Sequence, residues 1–303
     1  MKRRLVACFA ALTLGTMMFA GCASNTASEN EGNEPNATSV ASSQTKSDTG
    51  TADQTRKGIK ISIVGSTTIT EPMEKLVEAY KKSGCPDKIE VQGNGSSAGI
   101  KATIDGTADI GMASRELSEE EKGAGLVETV IAYDGIAVIV NPKNGITGLT
   151  KVQIKDIFEG KITNWSEVGG IDQDIIVVTR EAGSGTRSAF EEILKLLDEN
   201  KASTIVGTAL VSEGTGAVMA TVATKEASIG FVSEGYLDDS IKSLAIDGVE
   251  CTVDNVKSGS YIISRPLILV TKPDVKTQAQ QIIDYIVGDE GQKIMSEKYI
   301  SIK

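Results

Sequence analysis

Histidine is absent from this chain of 303 residues. Its absence excludes Ser-His-Asp and Cys-His nucleophilic systems, and every zinc site that needs an imidazole. Aromatic residues are scarce at 4%, with a single tryptophan, so the core has to be aliphatic; the apolar fraction of 40% is enough to build one. Basic residues are in the minority, 31 against 41 acidic, for a net charge of −10. A nucleic-acid partner would need a basic surface and is not expected. The overall field also repels anions, so an anion site must work through local dipoles and a few placed arginines. No G-x-x-x-x-G-K-[ST] run is present, which disfavours nucleotide hydrolysis. The length fits one large or two medium domains.

The N-terminus carries an address. Lys2, Arg3 and Arg4 precede the mostly apolar stretch from Leu5 to Ala20, too short to span a bilayer but suited to a signal core. Phe19-Ala20-Gly21-Cys22 resembles the lipobox of bacterial lipoproteins, with Phe19 where leucine is usual. Residues 1–21 are therefore expected to be a signal peptide, with Cys22 as the lipidated N-terminus of the mature chain. Losing the three basic residues makes that chain three units more negative. Residues 22–57, rich in Ser, Thr, Asn, Glu and Gly, are expected to form a disordered tether, giving a protein anchored to the membrane rather than spanning it. Of the four cysteines, Cys8 leaves with the signal. Cys85 and Cys251 remain as either a disulfide or two idle thiols.

Three strand–loop–helix units follow. Ile59 to Val64 reads as a buried strand that enters Gly65-Ser66-Thr67-Thr68-Ile69-Thr70. Met73, Leu76, Val77 and Tyr80 then recur at helical spacing, with Thr70 as a candidate cap and Pro72 in the first turn. Lys88 to Gln92, the loop Gly93 to Ser97 and a helix from about Ala98 repeat the plan. So do Ile175 to Thr179, the loop Arg180 to Arg187, and a helix with Phe190, Ile193, Leu194 and Leu197 on its apolar side. A helix start offers free N–H groups and partial positive charge, glycine permits close approach, and Ser or Thr adds hydroxyls. Each unit is a candidate anion-binding element. Ala209 to Ala220 has a similar outline with Glu213 in its loop, and is expected to be framework. Trp165 is expected to pack rather than bind. Asp238-Asp239 is a lone acidic pair, not a metal cluster.

These residues resemble the phosphate-binding proteins of phosphate-specific ABC transporters over roughly residues 58–303. The runs that carry the resemblance are Gly65 to Thr68, Gly93 to Gly99, Ala108 to Gly111, Asp156 to Trp165, and Arg180 to Thr186. The resemblance implies an α/β fold of the two-lobed periplasmic-binding-protein type (class II), with the ligand in a hinged cleft. Lobe one is expected to comprise 58–131 and 262–303, and lobe two 138–258; the crossings are placed at 132–137 and 259–261. It further implies inorganic phosphate as ligand, the membrane permease subunits of an ABC importer as partner, no cofactor or metal, no catalysis, and a monomer. A binder of another tetrahedral oxyanion (sulfate, molybdate, a phosphonate) is the nearest rival.

Carried over position by position, Thr67 and Ser96 would offer hydroxyls and Thr68 its backbone N–H. Arg180 would make a charged bidentate contact, and Ser184, Gly185 and Thr186 would surround the anion. Arg187 is expected to face away or pair with a carboxylate. Many relatives place an aspartate, the acceptor of the ligand's proton, where Ser114 and Arg115 stand here; both are kept as candidate ligand residues. Asp134 is a candidate replacement acceptor, or else a salt-bridge partner of Arg115 or Arg180. Glu181 poses the same choice beside Arg180.

Overall fold

The computed structural model describes residues 58–303; the expected signal peptide, the expected lipidation site Cys22 and the expected tether lie outside that range. The chain opens with β1 (Lys60–Gly65), α1 (Thr67–Lys82), β2 (Lys88–Gly93), α2 (Ser96–Ile104), β3 (Ile110–Ala113) and α3 (Glu119–Gly123). The long β4 (Val127–Val140) leads to β5 (Gly148–Leu149), α4 (Lys151–Phe158), β6 (Ile176–Arg180), α5 (Gly185–Leu194), β7 (Leu210–Ser212), α6 (Thr215–Thr224) and β8 (Ser228–Ser233). After β9 (Lys242–Ser243), β10 (Ala245–Ile246) and α7 (Val253–Lys257), β11 (Ser264–Thr271) runs back, and α8 (Thr277–Val287) and α9 (Asp289–Met295) close the chain.

The main sheet has the order β2-β1-β3-β11-β4-β8-β6-β7. Strands β1, β2 and β3 are parallel, as are β6, β7 and β8, while β4 and β11 join the two groups antiparallel. The first part of β4 pairs with β11 and its last part with β8, so one strand serves both halves. A strand covered on both faces loses its polar alternation whatever its direction, and the antiparallel β4 shows it: Ile136 to Val140 are five successive fully buried residues. Each large aliphatic side chain so buried contributes about 1.5–3 kcal/mol.

Two cores result. One gathers Ile61, Ile63, Ile69, Met73 and Leu76 with Ile131, Leu267, Ile282 and Met295. The buried members of the other lie between Ile136 and Ile263, with Ile300 packed against them. We call the bodies around them the first and second lobes. The scarce aromatics concentrate in the second: Phe158, Phe190 and Phe231 pack together, the last two stacked at 4.1 Å. Trp165 packs there too, its Nε1–H donating to Ala227 O at 2.9 Å. Cys85 packs against the first core and Cys251 lies inside the second; both are free thiols.

Helix α1 begins earlier than the sequence pattern indicates. Ser66, not Thr70, is the cap, its Oγ accepting from Thr68 N–H. The turn out of β1 takes one residue because Gly65 has φ +143° and passes so close to Met112 that a Cβ would lie 2.2 Å from its carbonyl oxygen. Thr70 instead bonds back to Ser66 O at 3.0 Å, and Pro72 falls inside the helix. A proline there removes the N–H that would meet Thr68 O. Tyr299 Oη (2.9 Å) and Tyr236 Oη (3.2 Å) donate to that carbonyl instead. Helix α2 likewise starts at Ser96 rather than Ala98, and α5 ends at Leu194, leaving Leu197 beyond it.

Candidate ligand-binding site

Four helix starts meet between the lobes. From the first lobe come α1 at Thr67 and α2 at Ser96; from the second come α5 at Gly185 and α6 at Thr215. Helices α2 and α6 follow Gly95 (φ +96°) and Gly214 (φ +81°), which supply no capping side chain, so their first N–H groups are not taken up by a cap. Ser66 and Ser184 cap the other two.

The contacts across the cleft are short. Thr68 Oγ1 lies 3.1 Å from Thr186 Oγ1, and Thr67 Oγ1 lies 3.4 Å from Thr215 Oγ1. Ser97 N–H donates to Gly183 O at 3.2 Å. Arg180 Nη2 donates to Thr67 Oγ1 at 3.1 Å. Gly185 faces Ser96 and Ser114 so closely that a Cβ would sit 2.3 Å and 2.8 Å from their hydroxyl oxygens. Ser66, Thr68, Ser96, Ser114, Arg180, Ser184 and Thr186 are all buried, and Thr67 partly so.

A directed hydroxyl chain runs under the cleft. Thr68 N–H donates to Ser66 Oγ, which donates to Ser114 Oγ at 2.9 Å. Ser114 N–H donates to Ser96 Oγ at 3.1 Å, and the two serine hydroxyls are 3.4 Å apart. The candidates Thr67, Thr68, Ser96, Ser114, Arg180, Ser184, Gly185 and Thr186 are thus brought together. Arg115 is not in hydrogen-bond contact with this cluster's buried hydroxyls. Its fork holds Glu121 (2.7 and 2.8 Å), with further bonds to Glu116 O and Ser97 Oγ.

The charged groups are paired. Glu181 grips Arg180 through both oxygens, at 2.8 and 2.7 Å, and also accepts from Gly214 N–H at 3.2 Å. Burial raises the Glu181 carboxyl, but Arg180 outweighs it and holds the group below the usual carboxylate range. Of the two readings for Glu181, the ion pair is the one observed. Arg180 Nε and Nη2 are engaged by Glu181 and Thr67, which leaves Nη1 as its remaining donor. Arg187 turns to Glu191 Oε1 at 2.7 Å and to Arg180 O.

Asp134 pairs with neither arginine foreseen for it. Its Oδ2 accepts from Arg265 Nη2 (2.8 Å) and Nε (3.1 Å), and its Oδ1 from Ser233 Oγ (2.9 Å). Burial pushes Asp134 up and Arg265 down, each toward its neutral form, while their attraction opposes both shifts. Arg265 went unnoticed in the sequence, where the one signal was a cation heading an apolar strand. The fourth unit, expected to be framework, brings Thr215 to Thr67. It also lines, through Glu213 and Gly214, a cavity of about 500 Å³ shared with Thr67, Gly93, Asn94 and Glu181. Among the described residues no cluster of carboxylates, cysteines or histidines could hold a metal, and no helix is long and apolar enough to cross a membrane.

Neutral donors and helix ends around one arginine are chemistry that suits an anion, and known proteins share the framework. A family model described as a PBP superfamily domain matches residues 32–290. The chain is 31% identical over 251 residues to the phosphate-binding protein PstS of Borreliella burgdorferi, covering 80% of this chain and 90% of that one. It is 30% identical over 267 residues to PstS of Bacillus subtilis, covering 86% of each. A Clostridium perfringens structure with bound phosphate, described as a phosphate ABC transporter substrate-binding protein, matches with 46% identity and a TM-score of 0.77 over 80% of this chain and all of that one. An ABC-type phosphate transport receptor from Vibrio cholerae matches at 37% and 0.69, over 79% and 99%. The chain belongs to the PstS phosphate-binding protein family, within the periplasmic-binding-protein superfamily.

Proposed function

We propose that this chain captures inorganic phosphate outside the cytoplasmic membrane and delivers it to the permease of an ABC importer, acting as a binding protein and not as an enzyme. The observation that carries this reading is the meeting of four helix starts, two from each lobe, around Arg180 and the paired threonines. Free N–H groups and the positive ends of helix dipoles suit a small tetrahedral anion. Thr67, Thr68 and Ser96 would donate from one side, and Arg180 Nη1 with Ser184, Gly185 and Thr186 from the other. A ligand held by both lobes favours their closed arrangement, and closure is what a transporter reads. Ser114 would serve as a further contact, while Arg115 supports the rim through Glu121. The hinge would lie where β4 and β11 pass between the cores, near 132–137 and 259–261. Cys22 would bear the lipid anchor, residues 23–57 would tether the domain, and the protein would act as a monomer.

Calorimetric titration of the fragment 58–303, which contains both cores and every site residue, with phosphate and sulfate across pH 5–9 tests this reading. One phosphate per chain and a clear preference for phosphate support it. Tighter binding of sulfate, molybdate or a phosphonate would transfer the function to that ligand.

A further inference from the structure

Arg265 stands opposite Asp134 in the pairing of β11 with β4, the two strands that connect the lobes. It is 3% exposed. Besides Asp134, its fork reaches two members of the site: Nη1 donates to Ser114 O at 2.9 Å and Nη2 to Thr68 Oγ1 at 3.4 Å. A guanidinium has donors only. Thr68 Oγ1 therefore accepts from Arg265, and its own proton is left for Thr186 or the cleft. Arg180 treats Thr67 in the same manner. Two adjacent threonines at the start of α1 are each oriented by a different arginine.

The two guanidiniums also sense each other. Burial is the largest influence lowering the proton affinity of Arg265, and repulsion from Arg180 adds to it. Like charges gathered around one helix start are costly unless anions sit among them. Glu181 and Asp134 neutralise one arginine each, and an anion at the start of α1 would gain from both. Both carboxylates are engaged by arginines.

Resting on the oxyanion reading above, we propose that Arg265 is the second cation of the site: it fixes Thr68 as a donor toward the ligand, and Asp134 moderates its field there. Arg265 is thus a positioning and selectivity residue, and its pairing with Asp134 tunes anion affinity as well as joining the strands.

The test is titration of the full chain in detergent with phosphate and, in parallel, sulfate. An electrostatic role gives effects of opposite sign: Asp134→Asn, which unmasks Arg265, should tighten phosphate about threefold to tenfold, and Arg265→Gln should weaken it at least ~30-fold. Arg265→Lys should recover part of that loss. The double variant Asp134→Asn/Arg265→Gln, which removes both charges together, guards against misfolding; a cooperative melt with phosphate weakened about tenfold is expected. Asp134→Asn and Arg265→Gln shifting affinity in the same direction, or a folded double variant with wild-type affinity, would overturn the assignment while leaving the phosphate reading intact. If the unaltered chain bound neither anion, both would fall.

Discussion

The hydroxyls of Thr68 and Thr186 lie 3.1 Å apart although 118 residues separate them. One belongs to the first turn of α1 in the first lobe, the other to the first turn of α5 in the second. If the lobes open about the proposed hinge this contact would break, so the two hydroxyls would serve as closure contacts as well as candidate ligand donors. The same economy holds at Gly183, whose carbonyl accepts from Ser97 N–H, and at Gly185, packed against Ser96 and Ser114.

Gly185→Ala tests closure directly. The new methyl would meet two buried hydroxyl oxygens at 2.3 and 2.8 Å, both on the opposite lobe. Opening the cleft relieves the clash, so stability without ligand should change by less than about 1 kcal/mol, as it does for changes that disturb no packed core. Phosphate affinity should fall at least tenfold. Calorimetry and a thermal melt measure the two, and unchanged affinity would show that these surfaces need not approach for binding.

Arg180→Ala removes the cleft arginine whose Nη1 is left over for a ligand. A charged hydrogen bond contributes about 1.5–3 kcal/mol, so affinity should drop roughly tenfold to 150-fold. The variant also frees Glu181, whose unmasked charge deepens the loss. Double variants with Glu181→Gln should recover part of it, measured by the same titration.

Pro72 and Tyr299 form a compensating pair. Tyr299→Phe removes the shorter of the two bonds to Thr68 O, leaving only that from Tyr236, and should cost about 1 kcal/mol in chemical denaturation. In a Pro72→Ala background the helix regains an N–H for that carbonyl, and the cost of Tyr299→Phe should shrink. Equal costs in both backgrounds would show that the tyrosine acts through packing alone.

Glu234, half-buried next to Asp134, has its carboxyl pushed up to about 7 by burial and by the Asp134 charge. The folded chain holds this proton more tightly than the unfolded chain, where the value is near the ordinary 4.5. Its stabilising contribution is therefore complete below about 4.5 and lost as pH rises through about 7. Glu234→Gln removes the loss. After discounting for solvent screening of a partly exposed group, the variant should be more stable than the parent by about 1 kcal/mol at pH 8 and similar at pH 4. Parallel denaturation curves at the two pH values decide it.

The sequence displayed the strand–turn–helix units because hydrophobic periodicity and Gly-Ser-Thr loops are local features. It mislocated the start of α1 because Ser66, Thr67 and Thr70 are all acceptable caps. What excluded Thr70 was the close pass of Gly65 beside Met112, a contact between distant segments. The partner of Asp134 was hidden for the same reason: strand register between β4 and β11 sets Arg265 opposite it, and register is not written in either strand alone. Thr215 looked like framework because its loop carries a glutamate. Its place beside Thr67 depends on how the lobes meet. Arg180 and its Gly-Ser-Gly-Thr loop were recognisable because cation, turn and helix start are contiguous in the chain.

A crystal structure of the chain grown with phosphate tests the central claim most directly. The account predicts a tetrahedral anion buried between the lobes, within hydrogen-bond distance of Arg180 Nη1, the Thr68 hydroxyl and the N–H groups of Gly185 and Thr186. An anion found instead in the neighbouring cavity beside Glu181 and Glu213, or on the outer surface with the helix starts unoccupied, would contradict it.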